Sequence, residues 1–358
     1  MSRIRIKDIA RLANVSTGTV DRVLHGREGV SEATRRRVEM IIEEYDYEPD
    51  ILAGALASNR TYRLMVCMPD VVNAHAFWKL PELGVQKALE ELRHFDLHVD
   101  YLRFDQHSKS DFSDKVRTVE VSKYDGLLFA PVFSKEAAEF LTRWKEAGIP
   151  CVQFNSRVEG IETDGFIGQD AFQSGFLGGR LISYGLPSGK DLLVVNLSLR
   201  KDNYQHIIRR ERGFRAYFEE HGDRVSNLVS VNLNGGDYET VADEIARKMT
   251  EFSVAGIFVT NSRVHMVARY LAERGAMNVR LIGYDLLPES VEYLKREYID
   301  YLLSQSPEEQ SYLGIRQLFS LAVLKRKQPP QVLLPIDILT KENVDYYLNF
   351  NAQYEQSE

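Results

Sequence analysis

The stretch Ile9–Gly26, IARLANVSTGTVDRVLHG, decides how the chain begins to fold. It reads as two short helices with a break at Val15–Ser16. Ile9, Leu12 and Ala13 give the first helix a packing face, and Val20, Val23 and Leu24 give the second one. The other side of the second helix carries Thr17, Gly18, Asp21 and Arg22, all small or polar. Ser16 suits an N-cap, because its hydroxyl can accept an orphan N–H of the next turn. Gly26 suits a helix stop. A third helix is expected next, capped by Ser31, with Val38, Ile41, Ile42 and Tyr45 recurring at i, i+3, i+4 and i+7, and ending before Pro49. Three such helices form a small bundle that displays the second. A displayed helix with that outer face, flanked by cations, is shaped to enter a DNA major groove.

Charge agrees with this. The 358 residues carry a net charge of −7, yet residues 1–37 hold nine Lys/Arg against four acids, a local +5. A basic end on an acidic body fits a phosphate-binding module joined to something else.

The run IKDIARLANVSTGTVDRVLHGREGVSEATRRRVEMIIEEYDYEPDILAGALA resembles the headpiece of the lactose/galactose repressor family of bacterial transcription regulators. The shared pattern is D-[IV]-A-x-x-A-x-V-S-x-x-T-V-x-R-V-L, then V-S-x-x-T-R-x-x-V, then Y-x-P, at fixed spacing. The resemblance implies that Thr17 and Gly18 sit nearest the base edges and that Arg22 contacts guanine. It implies phosphate contacts for Ser16, Thr19 and Arg35. Asp21 departs from the serine common in the family; it could accept from cytosine N4 or orient Arg22. DILAGALAS, residues 50–58, is too short to be a stable helix alone. In the family this hinge orders on operator DNA, and the leucine at the place of Leu56 wedges into the minor groove.

From residue 63 apolar strand-like runs alternate with helix-period stretches. RLMVCMP, LHVDYLRF, DGLLFAP, PCVQF, DLLVVNL, NLVSVNL, VAGIFV, VRLIGYD and YIDYLLSQ are separated by runs such as LPELGVQKALEELRHF. That alternation predicts parallel α/β structure, and roughly ten strands predict two lobes. The expected domains are a headpiece at 1–49, a hinge at 50–61 and a two-lobed effector-binding and dimerisation domain at 62–350. Lobe 1 is expected at 62–165 and 290–326, lobe 2 at 166–289 and 327–350.

Ligands of such folds bind at the carboxyl ends of strands. Polar residues interrupt the apolar runs there: Asp70, then Asn73, Phe77 and Trp78; Asn155, Ser156 and Arg157; Gln169 and Asp170; Asn261; Asp285; Gln305. Planar amides, carboxylates and arginine beside aromatics suit a neutral polyhydroxylated ligand. The region is similar to type I periplasmic sugar-binding proteins, through RRERGF, FVTN, IGYD and LLSQSPEEQSYLG. The resemblance implies that Arg210 or Arg209, Asn261, Asp285 and Gln305 ligate sugar hydroxyls. Asn155 would face them from the other lobe, and Phe77 and Trp78 would stack or close the cleft. Asp170 belongs to the same candidate set.

Catalytic, cofactor and metal sites are not expected. GFLGGRL lies in a helix-period stretch without G-x-G-x-x-G spacing, the eight histidines lack zinc spacing, and no G-x-S-x-G occurs. Cys67 and Cys151 sit in apolar strand-like runs and are expected to be buried free thiols of a reducing cytoplasm. No stretch of about 18 apolar residues occurs, so no membrane span is expected, and MSRIRIKDIARLANVS lacks an apolar signal core. The expectation is therefore a cytoplasmic, nucleoid-associated regulator. It would be a homodimer on a near-palindromic operator, a repressor as the family resemblance implies, and controlled by a sugar-like effector. The rivals are a sugar-binding protein without regulatory DNA binding and an α/β enzyme fused to a DNA-binding domain.

Overall fold

The computed structural model describes residues 4–24, 26–45, 47, 54, 56, 60–71, 76–197, 205–221, 225–233 and 237–349. The chain divides into two compact units, residues 1–60 and 61–358.

The first unit is a three-helix bundle: α1 (Ile6–Leu12), α2 (Thr17–Leu24) and α3 (Glu32–Glu44). Its core is Ile9, Ala10, Ala13, Val20, Val23 and Val38, with Ile41, Ile42 and Tyr47 packed around them. Ser16 and Ser31 cap as expected, accepting from Thr19 N at 3.1 Å and Thr34 N at 3.3 Å. Two expected core positions are exposed instead: Leu12 and Tyr45, each 46%. The core stripe of α1 runs Ile6, Ile9, Ala10, Ala13, which leaves Leu12 on its flank. Tyr45 lies beyond the last residue of α3, and Tyr47 packs against the core in its stead. Most of the expected hinge at 50–61 lies outside the described residues, as do Asn73 and His25. Within the hinge, Leu56 is described and is 48% exposed.

The second unit contains two six-stranded sheets. The first comprises β1 (Tyr62–Pro69), β2 (Leu97–Phe104), β3 (Gly126–Phe129), β4 (Cys151–Phe154), β5 (Gly165–Gly168) and β11 (Val332–Leu333), in the order β11-β5-β4-β3-β1-β2. The second comprises β6 (Lys190–Leu197), β7 (Val225–Leu233), β8 (Val254–Val259), β9 (Arg280–Tyr284), β10 (Tyr301–Ser304) and β12 (Asp337–Leu339), in the order β12-β10-β9-β8-β6-β7. Among the described strand pairs only β10–β12 is antiparallel. Helices α4 (Lys79–Glu91), α5 (Lys109–Arg117) and α6 (Ser134–Glu146) connect the first sheet. Helices α7 (Ala171–Ser183), α8 (Gln205–His221), α9 (Tyr238–Glu251), α10 (Val264–Glu273) and α11 (Pro288–Lys295) serve the second. Helix α12 (Pro307–Ala322) returns to pack on α4, β3, β4 and β5. Apolar strands such as β3 and β4 are buried along their whole length, as a parallel sheet covered on both faces requires.

The lobe boundaries differ from those expected. Residues 290–304, placed in lobe 1 from the sequence, end in β10 of the second sheet. Residues 166–168 and 332–333, placed in lobe 2, lie in the first sheet. The chain therefore crosses between lobes near residues 169–170, 305–306 and 334–336. Gln169 ties the three crossings together. Its buried side-chain amide donates to the Ser304 and Pro335 carbonyls, each at 2.6 Å.

Cys67 and Cys151 are buried free thiols, and burial pushes both well above the ordinary thiol value. Among the described residues no helix is long and apolar enough to cross a membrane.

Candidate functional site

Helix α2 presents the polar face read from the sequence. Ser16, Thr17, Gly18 and Arg22 are exposed, and Thr19 and Asp21 are half-buried. The Arg22 side chain makes no hydrogen bond or ion pair among the described residues, while its backbone carbonyl accepts from Arg27 N at 2.8 Å, so its guanidinium is available to an external acceptor. Asp21 pairs with Arg27 at 3.1 Å, a partner the sequence reading did not anticipate. Arg35 donates to the Arg27 carbonyl at 2.9 Å, so it also fixes the loop between α2 and α3. Thr19 shares a 2.9 Å hydroxyl contact with Ser16, which places both at the amino end of α2, where backbone N–H groups favour phosphate.

In the second unit the strand ends of both sheets open onto one cleft. It encloses about 670 Å³ of empty space, its mouth included, and is lined by Phe77, Trp78, Asn155, Arg210, Asn261, Asp285 and Gln305 among others. Seven of the nine candidate ligand residues therefore converge. Asn155 and Asp285 turn the chain sharply at the ends of β4 and β9, with φ of 63° and 67°. Asn and Asp accept this left-handed conformation better than other non-glycine residues.

The floor of the cleft is a buried charged cluster. Arg210 is 2% exposed and Asp285 1%. Arg210 donates to the Thr260 carbonyl at 2.8 Å and to Gln305 Oε1, and lies over the Tyr284 ring at 3.7 Å. Gln305 Nε2 donates to Asp285 Oδ2 at 2.6 Å. Asp285 Oδ1 and Arg210 Nε have no hydrogen-bond partner among the described residues. Burial pushes the Asp285 carboxyl up to about 6, against the opposing charge of Arg210 and the bonds from Gln305. An unmatched acceptor and an unmatched donor in one cluster suit a hydroxyl, which can both donate and accept.

Helix packing sets this position. A methyl group at Gly175 on α7 would come within 1.9 Å of the Arg210 carbonyl, and one at Gly213 on α8 within 1.9 Å of the Phe172 carbonyl. The two glycines let the helices cross closely enough to put Arg210 on the cleft floor. Sequence reading considered GFLGGRL only as a nucleotide loop; its structural role is this crossing.

Phe77 and Trp78 meet edge to face at 5.0 Å on the wall from the first lobe, and the indole N–H donates to Gln106 at 3.3 Å. Asn261 donates to the Leu197 carbonyl at 2.7 Å and accepts from Arg263 N. It therefore caps its loop as well as lining the cleft.

Asp170 and Arg209 are not brought to this cleft. They line an adjoining cavity with Arg157, Gln169 and Gln331, which shares Asn155 and His206 with the cleft. Asp170 caps α7, accepting from Phe172 N and Gln173 N at 3.0 and 3.1 Å. The choice between Arg209 and Arg210 thus resolves to Arg210 for the cleft. Sequence reading missed Gln106, His107, His206, Ser262 and Arg263, which also line it. His206 is half-buried one helical turn before Arg210, and desolvation together with that charge holds its imidazole well below the ordinary value. Its place one turn before Arg210 on a helix was the available signal.

Residues 66–327 match the periplasmic binding protein domain, and residues 5–50 match the lacI family of bacterial regulatory proteins. The chain is similar to catabolite control protein A of Staphylococcus xylosus, 27% identical over 205 residues, covering 53% of this chain and 59% of that one. It is also similar to a protein assigned as the HTH-type transcriptional repressor ExuR of Bacillus subtilis (strain 168). There the identity is 21% over 353 residues, 95% of this chain and 98% of the relative. The structure is similar to that of a protein assigned as a LacI transcriptional regulator from Bacteroides fragilis, with a TM-score of 0.73 and 26% identity over 80% of this chain and 100% of that one. The chain spans between 22% and 59% of the length of three of the curated relatives it matches.

Proposed function

We propose a transcription regulator whose operator affinity is set by a small sugar-like effector, because the chain belongs to the periplasmic binding protein domain family and carries the DNA-binding domain of the lacI family of bacterial regulatory proteins. The observation that carries the reading is the pairing of two features in one chain. One is the exposed Ser16–Thr17–Gly18–Arg22 face on a folded headpiece. The other is the buried Asp285–Arg210–Gln305 cluster, with its unmatched acceptor and donor, on the floor of a cleft between two lobes.

Arg22 would read guanine through its paired donors, Thr17 and Gly18 would lie against base edges, and Ser16, Thr19 and Arg35 would hold phosphates. Leu56, exposed on the hinge, would enter the minor groove. One headpiece reads about half a site, so the regulator would act as a homodimer on a near-palindromic operator, in the cytoplasm and as a repressor. Asp285, Arg210, Gln305, Asn155 and Asn261 would bind effector hydroxyls, with Phe77 and Trp78 against the sugar's C–H face. Binding to both lobes at once favours their approach, and a ligand shifts states by that differential affinity. The cleft acts here as a sensor rather than a catalyst.

The test is a thermal-shift screen of the full chain against neutral sugars, polyols, sugar acids and sugar phosphates. A ligand at about 100 times its Kd adds roughly 2.7 kcal/mol. A hit that also changes affinity for operator DNA supports the reading. A hit that leaves DNA binding unchanged supports the sugar-binding protein without regulation, and turnover of the hit supports the enzyme.

A further inference from the structure

The cavity beside the cleft is built differently from the cleft itself. It encloses about 720 Å³, its mouth included. Two guanidiniums line it, one from each lobe. Arg157 follows β4 in the first lobe, and Arg209 lies on α8 in the second. Arg157 lies over the Phe166 ring at 5.6 Å and has no carboxylate partner among the described residues. Arg209 has Asp170 at 3.9 Å, the outer limit of an ion pair, and the same carboxylate oxygen already accepts two N–H groups of α7. The other acid in the lining, Glu159, is exposed. Gln169 adds a buried side-chain oxygen with no hydrogen-bond partner among the described residues. Asn155 and His206 line both this cavity and the cleft, so the two spaces adjoin.

We propose that this cavity is an anion subsite of the sensor. It takes the phosphate or carboxylate of an acidic sugar whose hydroxyls rest on Asp285 and Arg210. The proposal rests on the sensor reading above and adds the ligand's charge class to it. A guanidinium fork matches the paired oxygens of phosphate and carboxylate. An anion held between arginines of separate lobes binds more tightly when the lobes approach, so the same group that selects the ligand also favours closure. Gln169, whose amide ties the three crossings, offers its free oxygen to a ligand hydroxyl at that point.

The test uses the full chain, its R157Q and R209Q variants and the double variant, read by thermal shift and calorimetry at constant ionic strength set with chloride. In the first arm inorganic phosphate is titrated. Saturable stabilisation of the wild type that each variant weakens at least tenfold, and the double variant abolishes, supports the subsite. In the second arm D-glucose, D-glucuronate and D-glucose 6-phosphate are compared with other neutral and acidic pairs from the screen. The expected result is an acidic member bound at least tenfold more tightly than its neutral parent, with that ratio collapsing toward one in R157Q and R209Q. Which acidic member leads distinguishes carboxylate from phosphate. Neutral binding unchanged in the variants shows that they fold. Neutral sugars bound as tightly as acidic ones, with no phosphate effect, overturn the subsite while leaving the sensor reading standing. Phosphate binding that the variants remove, with no sugar of any class bound, supports the subsite and overturns the sugar sensor.

Discussion

Gln305 donates from its side-chain amide to Asp285 at 2.6 Å while its own backbone carbonyl accepts from Gln310 at 2.7 Å. Asp285 ends a strand of the second lobe, and Gln310 lies on α12, which packs on the first. Gln305 itself occupies a crossing between the lobes. A group that binds Asp285 therefore acts on a residue anchored at a crossing between the lobes, which gives ligand binding a short physical route to lobe position.

Asp285→Ala removes the only carboxylate on the described cleft floor and leaves Arg210 buried with less compensation. Charge-assisted bonds contribute about 1.5–3 kcal/mol each. The expected result is at least a tenfold loss of effector affinity by calorimetry, with ligand-free operator binding within twofold of wild type. Unchanged effector affinity would remove Asp285 from the site.

The Asp285 carboxyl also predicts a pH dependence. Its value rises from 3.8 to about 6 on folding, through burial. Between about pH 4 and 6 the native state therefore holds more protons than the unfolded chain. Stability falls as pH rises through that window, and the cost of the buried charge is complete above pH 6. The expected size is on the order of 2–3 kcal/mol. Denaturant midpoints of wild type and Asp285→Asn measured from pH 4 to 7 isolate it, because the difference between the two curves carries this group alone. Parallel curves would place its titration outside the window.

Gly175→Ala tests the helix crossing. The added methyl overlaps the Arg210 carbonyl, so α7 and α8 must separate. A cost of about 1–3 kcal/mol in urea unfolding is expected, together with weaker effector binding as Arg210 shifts. Wild-type stability in the variant would show that the crossing has slack.

Arg22→Ala is expected to cost about 1–3 kcal/mol per half-site and to relax one base position. Arg35→Ala is expected to weaken all sequences alike and also to lower headpiece stability, since Arg35 holds the Arg27 carbonyl. Equal losses on specific and random DNA for Arg22→Ala would count against base reading.

Much of this was legible in the sequence because it rests on local signals. The caps at Ser16 and Ser31 and the apolar spacing of the headpiece gave its helices. Strand–helix alternation gave the α/β body, and polar strand ends gave Asn155, Asp285 and Gln305. What stayed hidden is long-range. The two-residue β11 and three-residue β12 carry too little pattern to read, and the lobe crossings depend on which sheet a strand joins. Nothing local separates Arg209 from Arg210; the close approach of Gly175 and Gly213 does. Asp170 read as a ligand because a carboxylate at a strand end looks alike whether it caps a helix or faces a cleft.

The most direct test of the central claim is operator affinity of the full chain with and without saturating effector, measured by fluorescence anisotropy on the operator selected from random DNA. Coupling between two sites of one regulator is typically 1–3 kcal/mol, a change of about 5- to 150-fold. The account predicts a change in that range, reached in Asp285→Ala only at an effector concentration at least tenfold higher. Effector bound at the cleft with no change in operator affinity would contradict it.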